Sequence, residues 1–501
     1  MELAHNLALG FGIALTPANL FFALAGALIG TLIGVLPGIG PIATIAMLLP
    51  LTFHVEPTSG LIMLAGIFYG AQYGGSTTAI LVNLPGETSS VVTCIDGHQM
   101  ARQGRAGAAL AVAALGSFFA GCVSTLLIAT FAPPLALVGQ SFGAPEYFSL
   151  MVLGLIAAVV LAHGSVLKAV GMIILGLLIG LVGTDGNTGG TRFTFDITDL
   201  TDGIDVATLA IGVFGLGEII TNLSRPQETR SLVAQRITRL WPTRDDFRRA
   251  WPAVLRGTSL GSILGVLPGG GATLSSFAAY ALEKKSSPYA AQFGLGAVEG
   301  VAGPESANNA GAQTSFIPML TLGIPGNAVM ALMIGALTIH GIQPGPQIMT
   351  ERPTMFWGMI ASMWIGNLML VIINLPLIGI WVQLLKVPYR FLYLAILLFC
   401  AIGVYTVSNS PTAVLLAAGF GVMGFIFARL ECEPAPMILG FVLGPLMEEN
   451  LRRAMRISSG DATIFLQRPI SLGLLIAAAA LCVLVALPTI RSKREEAFQE
   501  S

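Results

Sequence analysis

Charge is what this sequence has least of. Only 10% of its 501 residues are Asp, Glu, Lys or Arg, against 54% hydrophobic, and a soluble globular domain carries about 25% charged residues. That shortage excludes an ordinary solvated domain. Cysteine is scarce too: Cys94, Cys122, Cys400, Cys432 and Cys482 stand singly, with no CxxC pair, which excludes a disulfide framework and a thiolate metal cluster. The five histidines (His5, His54, His98, His163 and His340) form no HExxH or other close pair, and no Ser/His/Asp set assembles from local spacing. His98, beside Asp96, is the best functional candidate among them, with a plain loop histidine as its alternative. No GxxxxGK[ST] loop is present, so the chain itself hydrolyses no ATP. The opening "MELAHN" lacks the basic start of a cleaved signal peptide, and its apolar continuation is expected to stay in the mature protein. A net charge of -1 gives no reason to expect nucleic acid.

The apolar residues are pooled in long runs. Leu150 to Val182, Phe356 to Val387 and Ser471 to Ile490 each exceed or approach the ~20 residues that cross a bilayer as a helix. The whole chain has room for roughly ten to twelve crossings or partial crossings, so the expected fold is an all-α polytopic membrane protein. Between Arg225 and Arg256 eight arginines face three acidic residues, which marks a cytoplasmic loop by the positive-inside tendency. The tail from Arg491 is basic as well, and the N-terminus is not. "EENLRRAMRISSGDATIFLQRP", from Glu448, conflicts with this pattern: if Ser471 to Ile490 crosses, either this basic segment or the tail lies on the wrong face. Thr184 to Asp205 carries five aspartates. They lack the DxDxDG spacing of a calcium loop, and the stretch reads as a solvated external loop.

Proline and glycine interrupt this apolar chain twice in the same way. "GTLIGVLPGIG" from Gly30 matches "GSILGVLPGGG" from Gly261, 231 positions on. "GAQYGGSTTAILVNLPGE" from Gly70 parallels "AGAQTSFIPMLTLGIPGN" from Ala310, 240 positions on. Two halves on one plan are expected: residues 1–222 and 257–490, joined by a basic cytoplasmic linker at 223–256 and followed by a basic tail at 491–501.

A Pro-Gly unit ends or unwinds a helix, because proline lacks the backbone donor and glycine admits conformations that other residues avoid. In lipid such a break is tolerated only where it is buried in protein or lines a polar cavity. Paired breaks in two halves therefore point to a transporter's central site. A half-helix that starts at a break offers N–H groups to an anion, and one that stops there offers carbonyls to a cation. Polar residues cluster beside both breaks: Ser76, Thr77, Thr78, Asn83, Thr88 and Ser89 in the first copy, and Glu305, Ser306, Asn308, Asn309, Gln313, Thr314, Ser315 and Asn327 in the second. Interhelical hydrogen bonding is the alternative task for these groups.

Along nearly its whole length the chain resembles the TctA-like large membrane subunit of bacterial tripartite tricarboxylate transporters. The resemblance rests on "GVLPGIGP", "YGAQYGGSTTAILVNLPGE" followed by "DGHQMARQGRAGAAL", "TGGTRFTFDITDLTDGID", "GVLPGGGATLSSFAAYALEKK", "GPESANNAGAQTSFIPMLTLGIPGN" and "PAPMILGFVLGPLMEENLRRA". It implies a secondary transporter of the bacterial inner membrane that imports citrate or related carboxylates, with sodium as the coupling ion and no other cofactor. It also implies two partners, a small TctB-like membrane subunit and a TctC-like extracytoplasmic solute-binding protein. Carried onto this chain, the motifs place the pathway at Pro37, Gly38, Gly40, Ser76, Thr77, Thr78, Pro85 and Gly86 in the first copy. In the second copy they place it at Gly269, Gly271, Asn308, Asn309, Gln313, Thr314, Ser315, Pro325, Gly326 and Asn327, with sodium near Gly38, Asn83, Gly269, Glu305 and Asn308. The halves depart from each other where "GIG" becomes "GGG". If they span in opposite senses, the fold is an inverted repeat whose broken tips meet near the midplane. The substrate is then held by N–H groups and hydroxyls rather than clamped by Arg102 or Lys168. A passive carboxylate channel, an intramembrane enzyme and a docking scaffold are the competing readings.

Overall fold

The computed structural model describes residues 2–36, 40–52, 54–162, 165–224, 240–267, 269, 271–384 and 389–486. The first part of the chain forms α1 (Glu2–Ala14), α2 (Pro17–Val35), α3 (Pro41–Thr52), α4 (Pro57–Val82), α5 (Val91–Arg102), α6 (Ala106–Gln140), α7 (Ala144–Leu161) and α8 (Val166–Gly180). A two-stranded ribbon, β1 (Gly183–Thr184) with β2 (Thr191–Arg192), opens the loop that leads to α9 (Val206–Ala210). A π-helical stretch, Ile211–Leu216, joins α9 to α10 (Gly217–Ser224). The second part forms α11 (Arg244–Val266), α12 (Gly271–Ser286), α13 (Glu299–Thr314), α14 (Phe316–Leu322), α15 (Ala328–Ile339), α16 (Ile348–Glu351), α17 (Pro353–Asn374), α18 (Ile378–Leu384), α19 (Tyr389–Ser408), α20 (Pro411–Arg429), α21 (Ala435–Ile457), α22 (Ile464–Gln467) and α23 (Pro469–Ala486). Among the described residues, five helices are long and apolar enough to cross a membrane: α2, α6, the α9–α10 rod, α17 and α20. The chain is an all-α multi-pass membrane protein.

Several prolines here start helices rather than break them. Proline opens α2, α4, α17 and α20 in the first turn, where its missing N–H costs no hydrogen bond. The side chains of Thr16, Glu56 and Ser410 cap three of these helices. Thr243 and Asp246 form a capping box that starts α11, so that helix begins inside the stretch expected to be linker. The arginines at 225, 230, 236 and 239, the tail 491–501, and Pro37, Gly38 and Pro268 lie outside the described residues.

At the centre, two helix pairs pack so closely that only glycine fits on one side of each contact. A Cβ on Gly26, Gly30 or Gly34 of α2 would lie 2.3, 2.3 or 2.4 Å from the carbonyl oxygens of Met63, Ile67 and Ala71 on α4. A Cβ on Gly257, Gly261 or Gly265 of α11 would lie 2.3, 2.2 or 2.4 Å from those of Gly303, Ala307 and Gly311 on α13. Small residues at every fourth position allow helices to approach this closely. The glycines correspond at 231 positions and their partners at 240, the same displacements the motifs show. Contacts that climb both helices together make each pair parallel, with α3 or α12 returning between them as the second limb of a hairpin.

The two hairpins enter from opposite ends. His98 on α5 reaches the Ile80 carbonyl with Nδ1 at 3.1 Å, so α5 continues in the direction of α4 toward Arg105. Arg105 pairs with Asp246 at the start of α11, which fixes the end from which the second hairpin begins. From Arg105, α6 runs 35 residues, about 50 Å at 1.5 Å per residue, to the other end, where Glu146 faces Arg468 at 3.5 Å.

That other end also holds the basic segment from Glu448. Arg192 bonds Glu448 at 3.0 Å, and Arg452 bonds Asp185 at 3.1 Å and Glu448 at 2.6 Å. Arg456 reaches Asn187. The arginine-rich end of α21 therefore shares a face with the acidic 184–205 stretch and is neutralised by it. Most of that stretch is exposed, as expected of a solvated loop, and Asp185 and Asn187 brace it against α21. Among the described residues no group of His, Cys, Asp and Glu is arranged to hold a metal ion.

Candidate functional site

The helices that carry the polar motifs are the most enclosed in the molecule. Every residue of α4 from Thr58 to Val82 is buried, as is every residue of α13. Neither is among the five apolar spans; α2 and α17 pack on α4, α6 and α11 pack on α13, and the two touch where Ser76 meets Glu305. A buried polar group in such a place needs a partner.

Glu305 of α13 is fully buried. Its carboxylate accepts from Ser76 Oγ at 2.5 Å, Asn308 Nδ2 at 3.2 Å and the Thr93 hydroxyl. Ser76 belongs to α4 and Thr93 to α5, so one carboxylate joins both halves. A second carboxylate, Glu87, follows the Pro85-Gly86 break and accepts from Gln72 Nε2 at 2.8 Å and from the Ser89 hydroxyl. Among the described residues no Lys or Arg pairs with either carboxylate. Both sit among hydroxyls and amides alone.

The amides of α13 extend this network. Asn309 Nδ2 donates to Ser117 Oγ at 2.8 Å and to Asn308 Oδ1 at 2.6 Å, and Gln313 Oε1 accepts from Thr125 at 2.7 Å. Ser117 also donates to the Glu305 carbonyl at 3.2 Å. Thr125 and Ser117 both belong to α6.

The breaks fold back on the helices that precede them. α4 ends at Asn83 with φ 59°, and α14 ends at Gly323 with φ 71°, 240 positions on. Gly86 then packs against Gly34 and Gly75, and the Gly269 N–H, at φ 80°, donates to the Gly326 carbonyl at 2.7 Å. Asn327 caps α15 through the Met330 N–H at 3.0 Å. The first break leaves Asn83, Leu84, Pro85 and Thr88 exposed, whereas Ile324, Pro325 and Gly326 of the second are buried. Across this opening Thr88 and Thr273 touch hydroxyl to hydroxyl at 2.9 Å, and Ser276 donates to the Ser89 carbonyl at 2.7 Å. Each half thus contributes to this contact.

Of the residues read from the motifs, Ser76, Glu305, Asn308, Asn309 and Gln313 form this one group. Thr78 binds the Val35 carbonyl at 2.9 Å, while Thr314 and Ser315 bond back to their own helix at Ala310 and Ala312; these hold helices rather than face a ligand. Asn83 stands apart from Glu305 at the exposed tip, as does Gly40, whose added Cβ would meet nothing within 4 Å. Arg102 is exposed and Lys168 bonds the Leu430 carbonyl at 2.7 Å. His98 does not pair with Asp96. The fully buried Asp96 accepts from Tyr280 and from the N–H groups of Gly294, Gly296 and Ala297, each at 2.9 Å, which pins α5 to the 294–297 turn. Glu87, Gln72, Thr93, Ser117 and Thr125 escaped the sequence reading. Glu87 carried the one available signal, a carboxylate directly after a Pro-Gly break.

A family model described as the tripartite tricarboxylate transporter TctA family matches residues 20–439. The chain belongs to the TctA family. This makes it a large subunit of a tripartite tricarboxylate transporter, a multi-pass membrane component of an assembly with other subunits. An Agrobacterium vitis protein described as an uncharacterized 52.8 kDa protein in the TAR-I ttuC' 3' region is 61% identical over 500 residues, covering 100% of this chain and 99% of that protein. A second from the same organism, described as an uncharacterized protein in the TAR-II ttuC' 3' region, is 59% identical over 240 residues, 48% of this TctA-family chain and 99% of its own length. No solved structure matches the chain.

Proposed function

We propose that this TctA-family subunit imports tricarboxylates or related citrate-like carboxylates by cation symport, with sodium as the coupling ion, across the bacterial inner membrane. It works with a small TctB-like membrane subunit and a TctC-like extracytoplasmic binding protein that delivers the substrate. The halves 1–222 and 257–490 act as inverted repeats, joined by the linker at 223–256.

The observation that carries this reading is Glu305, a buried carboxylate held from both halves with no cationic side chain among the described residues paired to it. A charge in that place is expensive unless a mobile cation or proton neutralises it. The substrate binds on the exposed side of the Pro85-Gly86 break, where the Thr88 and Thr273 hydroxyls meet. A site made of hydroxyls and backbone holds an anion loosely enough to release it. Separating the ion at the carboxylate from the anion at the break lets one neutralise the field of the other.

The test is reconstitution of the chain with its small subunit and binding protein in vesicles, followed by labelled citrate uptake. Uptake driven by a sodium gradient and lost when choline replaces sodium supports the reading. Uptake at undiminished rates without any ion gradient makes the protein a carboxylate channel and overturns it.

A further inference from the structure

Beside Glu305, α4, α6 and α17 leave a narrow cavity whose polar lining is Tyr73, Ser76, Thr77, Ser117 and Asn374. Two of its polar atoms, the Tyr73 hydroxyl and Asn374 Oδ1, are buried and make no hydrogen bond. Their residues are only 3% and 4% exposed. A buried polar atom left unpaired costs about 1–3 kcal/mol, so an occupant that satisfies both is favoured.

Apart from the Tyr73 O–H, the donors around the cavity are already committed. Ser76 turns its proton to Glu305 or to the Gln72 carbonyl, and Ser117 donates to the Glu305 carbonyl. Thr77 donates to the Tyr73 carbonyl at 3.5 Å. The Asn374 amide nitrogen bonds Thr31 at 3.3 Å and the Leu370 carbonyl at 2.9 Å, which leaves its oxygen facing inward. What remains for an occupant is that one Tyr73 O–H, which can turn aside, and oxygen lone pairs. A carboxylate brings further lone pairs and is repelled; a cation is welcomed. The charge of Glu305 lies one hydroxyl away through Ser76, and the other hard oxygen ligands are neutral, a set that suits one unit of positive charge. An uncharged water would fill the two unpaired sites and leave Glu305 without a counter-charge.

We propose that this cavity binds a monovalent cation of sodium size through Tyr73, Ser76, Ser117 and Asn374, with Glu305 supplying the charge. The inference rests on the cation-coupled reading above and gives it a location on α4 and α17, away from the Pro-Gly tips. Asn374 then links the ion to α2 through Thr31.

The test is the thermal unfolding midpoint of the purified chain in sodium, potassium or choline chloride at equal ionic strength, titrated to half-saturation. Sodium raises the midpoint of the wild type above the other two salts. Tyr73→Phe, which removes only the unpaired hydroxyl, and Asn374→Ala each raise the half-saturating sodium concentration at least about tenfold. Tyr69→Phe, which removes an unpaired hydroxyl that does not line the cavity, leaves that concentration unchanged. Equal midpoints in all three salts mean that the cavity holds water and overturn the proposal, as does an unchanged sodium response in both cavity variants. If that response is unchanged while vesicle uptake stays sodium-driven, the location is wrong and symport stands. If the response is lost as stated but uptake ignores sodium, the site stands and symport falls.

Discussion

The helix α4 and its counterpart formed by α13 and α14 cover corresponding stretches, Pro57–Val82 against positions 297–322, yet they differ in what they carry. Both bury nearly every residue and both receive glycines from a parallel neighbour at matched positions. Where α4 has Ala65, Phe68, Tyr69 and Tyr73, the second helix has Glu305, Asn308, Asn309 and Gln313. The packing is duplicated and the ionisable chemistry is not. Close approach needs only small residues at fixed spacing, so both copies keep it, whereas a single buried carboxylate needs donors around it, which the other copy supplies. The first half gives Ser76, Thr93, Ser117 and Thr125 to groups of the second.

The largest effect is expected where the copies are alike. Gly30→Val and Gly261→Val each drive side-chain carbon into a neighbouring carbonyl, and overpacking with no route of relief costs at least about 3 kcal/mol. Both variants should lose the monodisperse peak on size exclusion; loss in one copy alone would break the equivalence. Next comes the difference itself. Glu305→Gln keeps the shape and removes the charge, and with interactions of a buried charge worth about 3 kcal/mol and tenfold per 1.4 kcal/mol, sodium-driven uptake should fall about 10²-fold while the folded yield holds. A smaller contrast lies at the corresponding pair Gly40 and Gly271. Gly271 has φ 53° and Gly40 has open space around it. Gly271→Ala should therefore lower stability by about 1 kcal/mol in thermal unfolding, with Gly40→Ala near neutral.

The smallest effect belongs to the capped end. The Asn187 N–H first, then the Thr188 hydroxyl and the guanidiniums of Arg452 and Arg192, hold the Asp185 carboxyl well below its usual range. A depressed carboxylate stabilises the fold above its unfolded value and loses that contribution only as pH falls through the folded one. Hydrogen exchange of residues 183–192 should thus stay slow below pH ~3.9, the ordinary Asp value, and Asp185→Asn should speed it at neutral pH without lowering the main unfolding transition.

The membrane class, the breaks and Glu305 were legible because they depend on composition, on Pro-Gly chemistry and on a carboxylate in an apolar setting. Glu87 and Thr93 were harder to read. They join the site only because the chain folds back after Asn83, so that Ser89 lies beside Gln72 and Thr93 near Ser76. Asn374 was invisible for the same reason, since it sits alone in an apolar helix and gains meaning only opposite Tyr73. Arginine counting left the segment at Glu448 unplaced, because charge tallies along the chain omit the carboxylates that another loop brings beside Arg452.

The arginine cluster of α21 carries one more consequence, for the assembly of the protein during synthesis. The arginines at the start of α11 and those at Arg452 and Arg456 lie at opposite ends of the molecule, so whichever face is cytoplasmic, one cluster has to be carried through the bilayer. The acidic cap at 184–205 is synthesised more than two hundred residues before α21 emerges. It can therefore be in place as a receptor for those late arginines, so that the early placement of the cap bears on where the last helices of the chain come to rest.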